Sequence, residues 1–217
     1  FSLPLYLLTG LSRRRRLVSQ EASVKYFLLG ALSSAIFLYG IALVYGAAGS
    51  FQLGIIAQAS MTQISGSKIF AAGMILLAVG LLFKVGAVPF HNWTPDVYTG
   101  APSPVTAFMS IATKVVAVLG LMRVMYVALG AMRWDWQLLL AVVAVASMAV
   151  GAIVGLSQTD MKRMLAYSSI AHAGFIMVGV VGAYTLQTGQ RPDQTGSVSS
   201  VLIYLAGYGL ATIGFFM

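Results

Sequence analysis

The amino-acid sequence predicts an all-α polytopic membrane protein. Hydrophobic residues make up 59% of its 217 residues and charged residues only 8%, whereas a soluble domain carries about 25% charged residues. The apolar residues also fall into stretches of about 20, which is the length that a bilayer-crossing helix requires. A soluble fold of this size could not bury so much apolar surface, so we expect lipid to surround most of the chain.

Seven apolar segments are predicted to be membrane spans, and the first of them is interpreted as the end of a truncated span. Because the chain begins and ends inside apolar stretches, we expect a single membrane domain over residues 1–217 that is cut at both ends. The predicted spans are Phe1–Leu11, Glu21–Gly46, Lys68–Phe90, Val105–Tyr126, Gln137–Leu156, Met164–Tyr184 and Val198–Met217.

Polar segments are predicted to connect these spans. Ser12–Gln20 is basic, and Ala47–Ser67 is rich in Gly, Ser and Gln. The Gly, Pro and Asp content of Thr185–Gly196 is typical of a loop. The connector Trp93–Pro104 contains three prolines, and proline at that density interrupts a continuous helix.

The net charge of +8 does not indicate nucleic-acid binding, although basic chains often bind phosphate groups. Most basic residues lie singly between apolar stretches, and an excess of cations beside membrane spans is an orientation signal. The face with six basic residues, rather than the face with three, is therefore predicted to be cytoplasmic. The first face carries Arg13–Arg16, Lys162 and Arg163, and the second carries Lys68, Arg133 and Arg191.

The absence of cysteine excludes disulfides, iron–sulfur clusters and thiolate metal sites on this chain. The sequence has only two histidines and five acidic residues, and they are far apart. We therefore expect neither a metal ion nor another cofactor to be bound by this chain.

Two lysines inside predicted spans are candidate functional residues, because an ionisable group at mid-bilayer costs at least ~2.5–3.5 kcal/mol. Lys84 lies ~24 Å along a straight helix from Lys68, and Val85–Pro89 directly after it cannot continue as a regular helix. Broken helices at membrane depth line wet or protein-lined cavities. Lys114 lies ~15 Å from either end of its span, too far to reach an interface. The alternative for Lys84 is a side chain that extends to the interface.

Other ionisable residues leave two interpretations open. Glu21 and Lys25 have the i,i+4 spacing of a helix ion pair, which is either an interfacial salt bridge or a pair that a moving proton opens. His91, beside the predicted break, and His172, deep in a span, can exchange protons near neutral pH. A histidine satisfied within the protein core is the alternative for both. Asp96 is expected to cap a helix or turn.

The sequence predicts a proton wire of one ionisable residue per span, formed by Lys25, Lys84, Lys114 and His172. Desolvated lysines change their protonation state at accessible energy, so several of them in series could pass protons according to neighbouring charge. The tyrosines and tryptophans are expected to be interface anchors, and the glycines in 174–182 and 207–214 to allow close helix packing.

Three stretches resemble subunit N (the subunit 2 type) of proton-pumping NADH:quinone oxidoreductase, respiratory complex I. The most specific is FKVGAVPFHNWTPDVYTGAPSPVTAFMSIATKVVAVLGLMR at Phe83–Arg123. Two further stretches also resemble subunit N: EASVKYFLLGALSSAIFLYG at Glu21–Gly40 and DMKRMLAYSSIAHAGF at Asp160–Phe175. The resemblance implies an antiporter-like helix bundle with inverted repeats, each of which holds a discontinuous helix.

The resemblance also implies roles for individual residues. Lys84 would be the central lysine on the broken helix, Lys114 the lysine that leads to the next half-channel, and His91 the histidine between them. Lys25 would be the lysine of the preceding helix. A glutamate expected just before Phe1 and a lysine expected beyond Met217 would complete the proton path.

The function that this resemblance implies is proton translocation coupled to quinone reduction elsewhere in the complex. The complex uses NADH, FMN, iron–sulfur clusters and quinone, none of them bound here. The expected partners are neighbouring antiporter-like and small membrane subunits within the lipid bilayer. The expected location is a bacterial plasma membrane, with an organellar inner membrane as the alternative.

The sequence is compatible with two other functions. The chain could belong to a stand-alone multi-subunit cation/proton antiporter, although the DVYTGAP connector argues against it. It could also be a purely structural membrane scaffold, in which the buried lysines could be replaced without effect.

Overall fold

The structure, a computed structural model, describes residues 2–12, 16–62, 66–182 and 194–216, with only the backbone for 194–197. Regular structure in these ranges is helical throughout. The α-helices are α1 (Ser2–Thr9), α2 (Arg16–Ala48), α3 (Leu53–Thr62), α4 (Lys68–Val85), α5 (Trp93–Gly100), α6 (Ser103–Phe108), α7 (Lys114–Arg123), α8 (Arg133–Leu156), α9 (Met161–Gly182) and α10 (Gln194–Phe216).

Six helical stretches in the described ranges are long and apolar enough to cross a membrane. One of them is formed by α6 and α7, which π-helical turns join and extend into a continuous stretch, Ser103–Ala128. The eight-residue α1 lies in the first predicted segment. The prediction of an all-α multi-pass membrane protein is therefore confirmed.

Several predicted boundaries and one predicted loop are wrong. The second helix begins at Arg16 rather than Glu21, so the end of the predicted basic loop is helical. The predicted loop Ala47–Ser67 contains α3, whose Ile56 and Ala59 are buried. A helix of ten residues is too short to span a bilayer, so the length criterion for membrane spans does not indicate it. The predicted loop Thr185–Gly196 lies outside the described residues, except that α10 begins at Gln194.

The proline-rich connector Trp93–Pro104 is also more ordered than predicted, because it contains α5. Pro95 lies in the first turn of α5, and Pro104 in the first turn of α6. The N–H groups of a first turn have no partner within the helix, so proline costs nothing there. The prolines thus mark the starts of two helices.

The predicted helix break is confirmed, although the helix ends at Val85 rather than at Phe90. Gly86 closes α4 in the left-handed conformation, with φ 78° and ψ 33°, a region that glycine occupies without penalty. Its N–H donates to the carbonyls of Leu82 and Phe83 at 3.0 and 3.1 Å. The backbone therefore leaves the helix with the Leu82 and Phe83 carbonyls bound.

Neighbouring helices bind two further backbone groups at the break. The Val88 N–H donates to Ser147 Oγ on α8 at 2.9 Å. The Trp93 indole N–H donates to the Phe83 carbonyl at 3.0 Å. An unsatisfied backbone group costs several kcal/mol in lipid, so these two side chains stabilise the break at membrane depth.

Close helix packing occurs where glycines face a neighbouring backbone. A Cβ at Gly151 of α8 would lie 2.6 Å from Ala171 N of α9, and one at Gly174 would lie 2.7 Å from the Ala144 carbonyl. The predicted close packing through glycine therefore holds at Gly174, whereas Gly207 in α10 has no described atom within 4 Å of such a Cβ.

Substitution of Gly151 by alanine is expected to force α8 and α9 apart. Overpacking of this kind costs about 1–3 kcal/mol, so the apparent melting temperature of the full-length protein in detergent should fall. The matched control is Gly46→Ala, because a Cβ at Gly46 meets nothing within 4 Å and alanine favours helix by about 0.5–1 kcal/mol. Equal melting temperatures for the two variants would contradict the packing described for α8 and α9.

Candidate functional site

Lys114 is a lysine buried within the helix bundle, with 3% of its surface exposed. Its Nζ donates to the carbonyl and to the hydroxyl of Ser169, both at 2.6 Å. It also lies 5.0 Å from the ring centroid of Tyr208, within the range of a cation–π contact. These contacts offset part of the several kcal/mol that burying an ammonium group costs.

The partners of Lys114 are neutral groups. Among the ion pairs of the described residues, none involves Lys114. Its backbone follows directly on a π-helical turn, Met109–Thr113, a feature that occurs frequently at functional sites. The arrangement is a buried cation held by dipoles and a ring, so no carboxylate of the described chain depends on its charge.

Lys84 lies in the last turn of α4, immediately before the break. Its Nζ donates to Ser2 Oγ of α1 at 3.1 Å, and its side chain is half-buried. The carbonyls at a helix C-terminus favour a cation there. The break therefore places Lys84 at the electronegative end of a half-helix, inside the bundle.

His91 lies in the break, between Gly86 and the start of α5. Its imidazole is partly buried. Within the described residues, its Nδ1 and the Thr94 hydroxyl are buried without a hydrogen-bond partner. A neutral imidazole can accept a proton at such an atom.

His172 of α9 contacts two tyrosines of α10. Its Nδ1 is 2.6 Å from the Tyr204 hydroxyl, and its ring centroid is 4.8 Å from that of Tyr208. Both tyrosines and His172 line a cavity of about 380 Å³. Tyr208 thus touches both Lys114 and His172, so the structure brings these two predicted site residues together around one ring.

The predicted ion pair of Glu21 and Lys25 is present, with 2.7 Å between Lys25 Nζ and Glu21 Oε1. Lys25 also binds Asp96 Oδ2 at 2.9 Å, and Asp96 Oδ1 lies 3.4 Å from Arg163 Nη1. The capping role expected for Asp96 is therefore replaced by ion pairs that join α2, α5 and α9. Lys25 is 44% exposed, so it lies at the edge of the bundle rather than within it.

A second cation of α9 also holds α5. Lys162 Nζ donates to the carbonyl of Ala101, the residue that caps α5, at 2.9 Å. Lys162 and Arg163 were predicted only as orientation signals, and both contact the segment that follows the helix break. The short helix α5 is thereby fixed to α9 from both its ends.

The six predicted site residues fall into separate groups in the described chain. Lys114 and His172 share Tyr208, and Lys25 and Glu21 are paired. Lys84 lies immediately before the break, and His91 lies in it. The prediction missed the partner residues Ser169, Tyr204 and Tyr208. The two tyrosines have one signal in the sequence: they are four residues apart, so they lie on one helix face.

Metal chemistry has no candidate site in the ranges that the structure describes, where no three His, Cys, Asp or Glu side chains group closely enough to hold an ion. What the described geometry offers is proton exchange at lysine and histidine nitrogen atoms and at tyrosine and serine hydroxyls.

Comparison with known proteins shows the family to which this chain belongs. A curated relative, NADH-quinone oxidoreductase subunit N of Cutibacterium acnes, is 74% identical over 217 residues, which cover 100% of this chain and 40% of the relative. The chain thus spans about 40% of the length of that relative.

Two solved structures share the fold. A chain of respiratory complex I from Thermus thermophilus with bound aureothin superposes with a TM-score of 0.71 at 40% identity, over 97% of this chain and 43% of that chain. A chain of the Mrp complex from Dietzia sp. has a TM-score of 0.84 at 24% identity, over 99% of this chain and 38% of that chain. The second likeness concerns the fold alone.

The model of one family, described as NADH:quinone oxidoreductase/Mrp antiporter, TM, matches residues 1–217. This chain therefore belongs to the NADH:quinone oxidoreductase/Mrp antiporter membrane family.

Proposed function

We propose that this chain is a portion of a subunit of NADH:quinone oxidoreductase, respiratory complex I, that translocates protons across the membrane. The observation that carries the proposal is Lys114, a lysine with 3% exposure that is held by neutral partners. The high identity to NADH-quinone oxidoreductase subunit N of Cutibacterium acnes supports the subunit N type.

The mechanism rests on the charge of buried lysines. Quinone reduction elsewhere in the complex changes the charge at one end of the membrane arm. At an effective dielectric constant of ~20, a unit charge ~10 Å from a lysine changes the energy of its ammonium form by ~1.7 kcal/mol. That energy changes a protonation equilibrium by more than about tenfold, so Lys114 can release or bind a proton as neighbouring charge changes.

The helix break supplies the second part of the mechanism. Discontinuous helices at membrane depth are tolerated where they line a cavity, and this one presents Lys84 and His91 on either side of its turn. Lys84, Lys114, His91 and His172 form the proton relay, and Lys25 with Glu21 forms an ion pair at its edge.

The other parts of the reaction lie outside this chain. NADH, FMN, iron–sulfur clusters and quinone are bound by other subunits of the complex. The neighbours of this chain are antiporter-like and small membrane subunits, and the membrane is the plasma membrane of a bacterium. The bacterial relative supports the bacterial membrane.

Lys114→Ala is expected to leave the full-length protein assembled in its complex and to lower coupled proton uptake by proteoliposomes strongly. A lost proton-transfer group typically costs 10²- to 10⁴-fold in rate, so the decrease should exceed about tenfold. The matched control is Lys68→Ala, which removes an exposed lysine at the start of α4. Uptake at the wild-type rate in Lys114→Ala would refute the proposal.

The same proteoliposomes distinguish the alternatives. The matching family includes the Mrp antiporters, so a cation/proton antiporter is the second candidate. Sodium-dependent proton exchange that requires neither NADH nor quinone would assign that function. Wild-type uptake after joint replacement of Lys25, Lys84 and Lys114 would assign a structural scaffold.

Ser169→Ala is expected to lower proton uptake less than Lys114→Ala does. The variant removes one of two acceptors of the Lys114 ammonium and leaves the backbone carbonyl in place. A hydrogen bond to a charged group contributes about 1.5–3 kcal/mol, so the rate should change by about tenfold or more.

The control for Ser169→Ala is Ser34→Ala, because the Ser34 hydroxyl donates only to the Gly30 carbonyl of its own helix at 2.7 Å. Initial rates of uptake are measured on equal amounts of assembled complex. Identical rates for the two serine variants would contradict a functional contact between Ser169 and Lys114.

A further inference from the structure

We propose that Tyr204 is a proton-transfer residue, which passes protons between His172 and the cavity beside α10. This inference rests on the proposed function and deepens it, because it adds an exchange point to the relay. It starts from the 2.6 Å contact between the Tyr204 hydroxyl and His172 Nδ1, which is a short hydrogen bond.

The tyrosine lies at the boundary between the buried lysine and open space. The ring of Tyr208 contacts two groups. Lys114 Nζ lies 5.0 Å from its centroid, and the ring centroid of His172 lies 4.8 Å from it. Tyr204 lies one helical turn before Tyr208 on α10 and is 37% exposed. The order of contacts is therefore a buried cation, an aromatic ring, an imidazole and the hydroxyl of a partly exposed tyrosine.

The cavity next to Tyr204 is suited to hold water. Its volume is about 380 Å³, enough for several water molecules. Five of the ten residues that line it carry polar side chains, which can bind water. They are Ser168, His172, Tyr204, Tyr208 and Thr212.

The chemistry needs both functions of a phenol hydroxyl, which donates one hydrogen bond and accepts others. In one direction, the Tyr204 O–H bond breaks as its proton moves to an unprotonated His172 Nδ1. A protonated water in the cavity gives a proton to the same oxygen, and a new O–H bond forms. Tyr204 ends neutral, His172 gains one proton and the cavity loses one. The reverse sequence returns the proton.

An interface anchor is the alternative role for Tyr204, and it needs only the ring. An anchor places its hydroxyl at the headgroup level, whereas this hydroxyl is hydrogen-bonded to an imidazole of the neighbouring helix. Removal of the hydroxyl alone therefore separates the two roles, because the ring contact with His172, 5.9 Å between centroids, is kept.

Tyr204→Phe in the full-length protein, assembled in its complex, is expected to lower coupled proton uptake by about tenfold or more without loss of assembly. The matched control is Tyr39→Phe, because Tyr39 is 61% exposed on α2 and should keep the wild-type rate.

Uptake is also measured in D₂O, where the solvent isotope effect of Tyr204→Phe should exceed that of the wild type, since proton transfer becomes slower. A merely structural role would leave that isotope effect unchanged.

The outcomes separate this inference from the proposed function. Wild-type uptake in Tyr204→Phe with strong loss in Lys114→Ala overturns the role of Tyr204 alone. Wild-type uptake in both variants overturns the proposed function as well. Should Tyr204→Phe assemble poorly, His172→Gln tests the same step from the acceptor side, and retained uptake per assembled complex in that variant overturns the path.

Discussion

The need to satisfy polar groups without water shapes this structure most strongly. Lipid offers no hydrogen bonds, so both the interrupted backbone after Val85 and the ammonium of Lys114 require partners from other helices. Ser147 and Trp93 bind the first, and Ser169 and Tyr208 contact the second. These partners lie on α5, α8, α9 and α10, so the bundle as a whole maintains the two features that distinguish it from an inert set of spans.

The packing of α8 against α9 connects these two features. Ser147, which binds the break, lies on α8, and Ser169, which binds Lys114, lies on α9. Glycines at Gly151 and Gly174 allow these two helices to approach each other closely, which fixes one serine relative to the other. The break and Lys114 are therefore each bound by one member of the same closely packed pair of helices.

The sequence allowed the prediction of features that a single residue or a short motif determines. Hydropathy located the spans, Gly86 and Pro89 located the break, and Lys114 was predicted to be buried because its side chain cannot reach an interface. The sequence did not allow the prediction of features that depend on pairing between distant helices. The contacts of Tyr204 with His172 and of Asp96 with Lys25 and Arg163 need the packing of helices 32 to 71 residues apart in the chain.

Lys25 and Lys114 have different partners, so the loss of a proton has different consequences for each of them. A proton lost from Lys25 would leave the carboxylates of Glu21 and Asp96 facing each other without their shared cation, which costs energy because like charges repel. A proton lost from Lys114 strands no counter-ion in the described chain, and the Ser169 hydroxyl can turn from acceptor to donor toward the neutral amine. The buried lysine can therefore change its charge with little rearrangement, while the exposed one is held in a pair. In the proposed relay, which needs groups of the first kind, Lys114 and its neighbours on α9 and α10 are therefore better suited to the central position than Lys25.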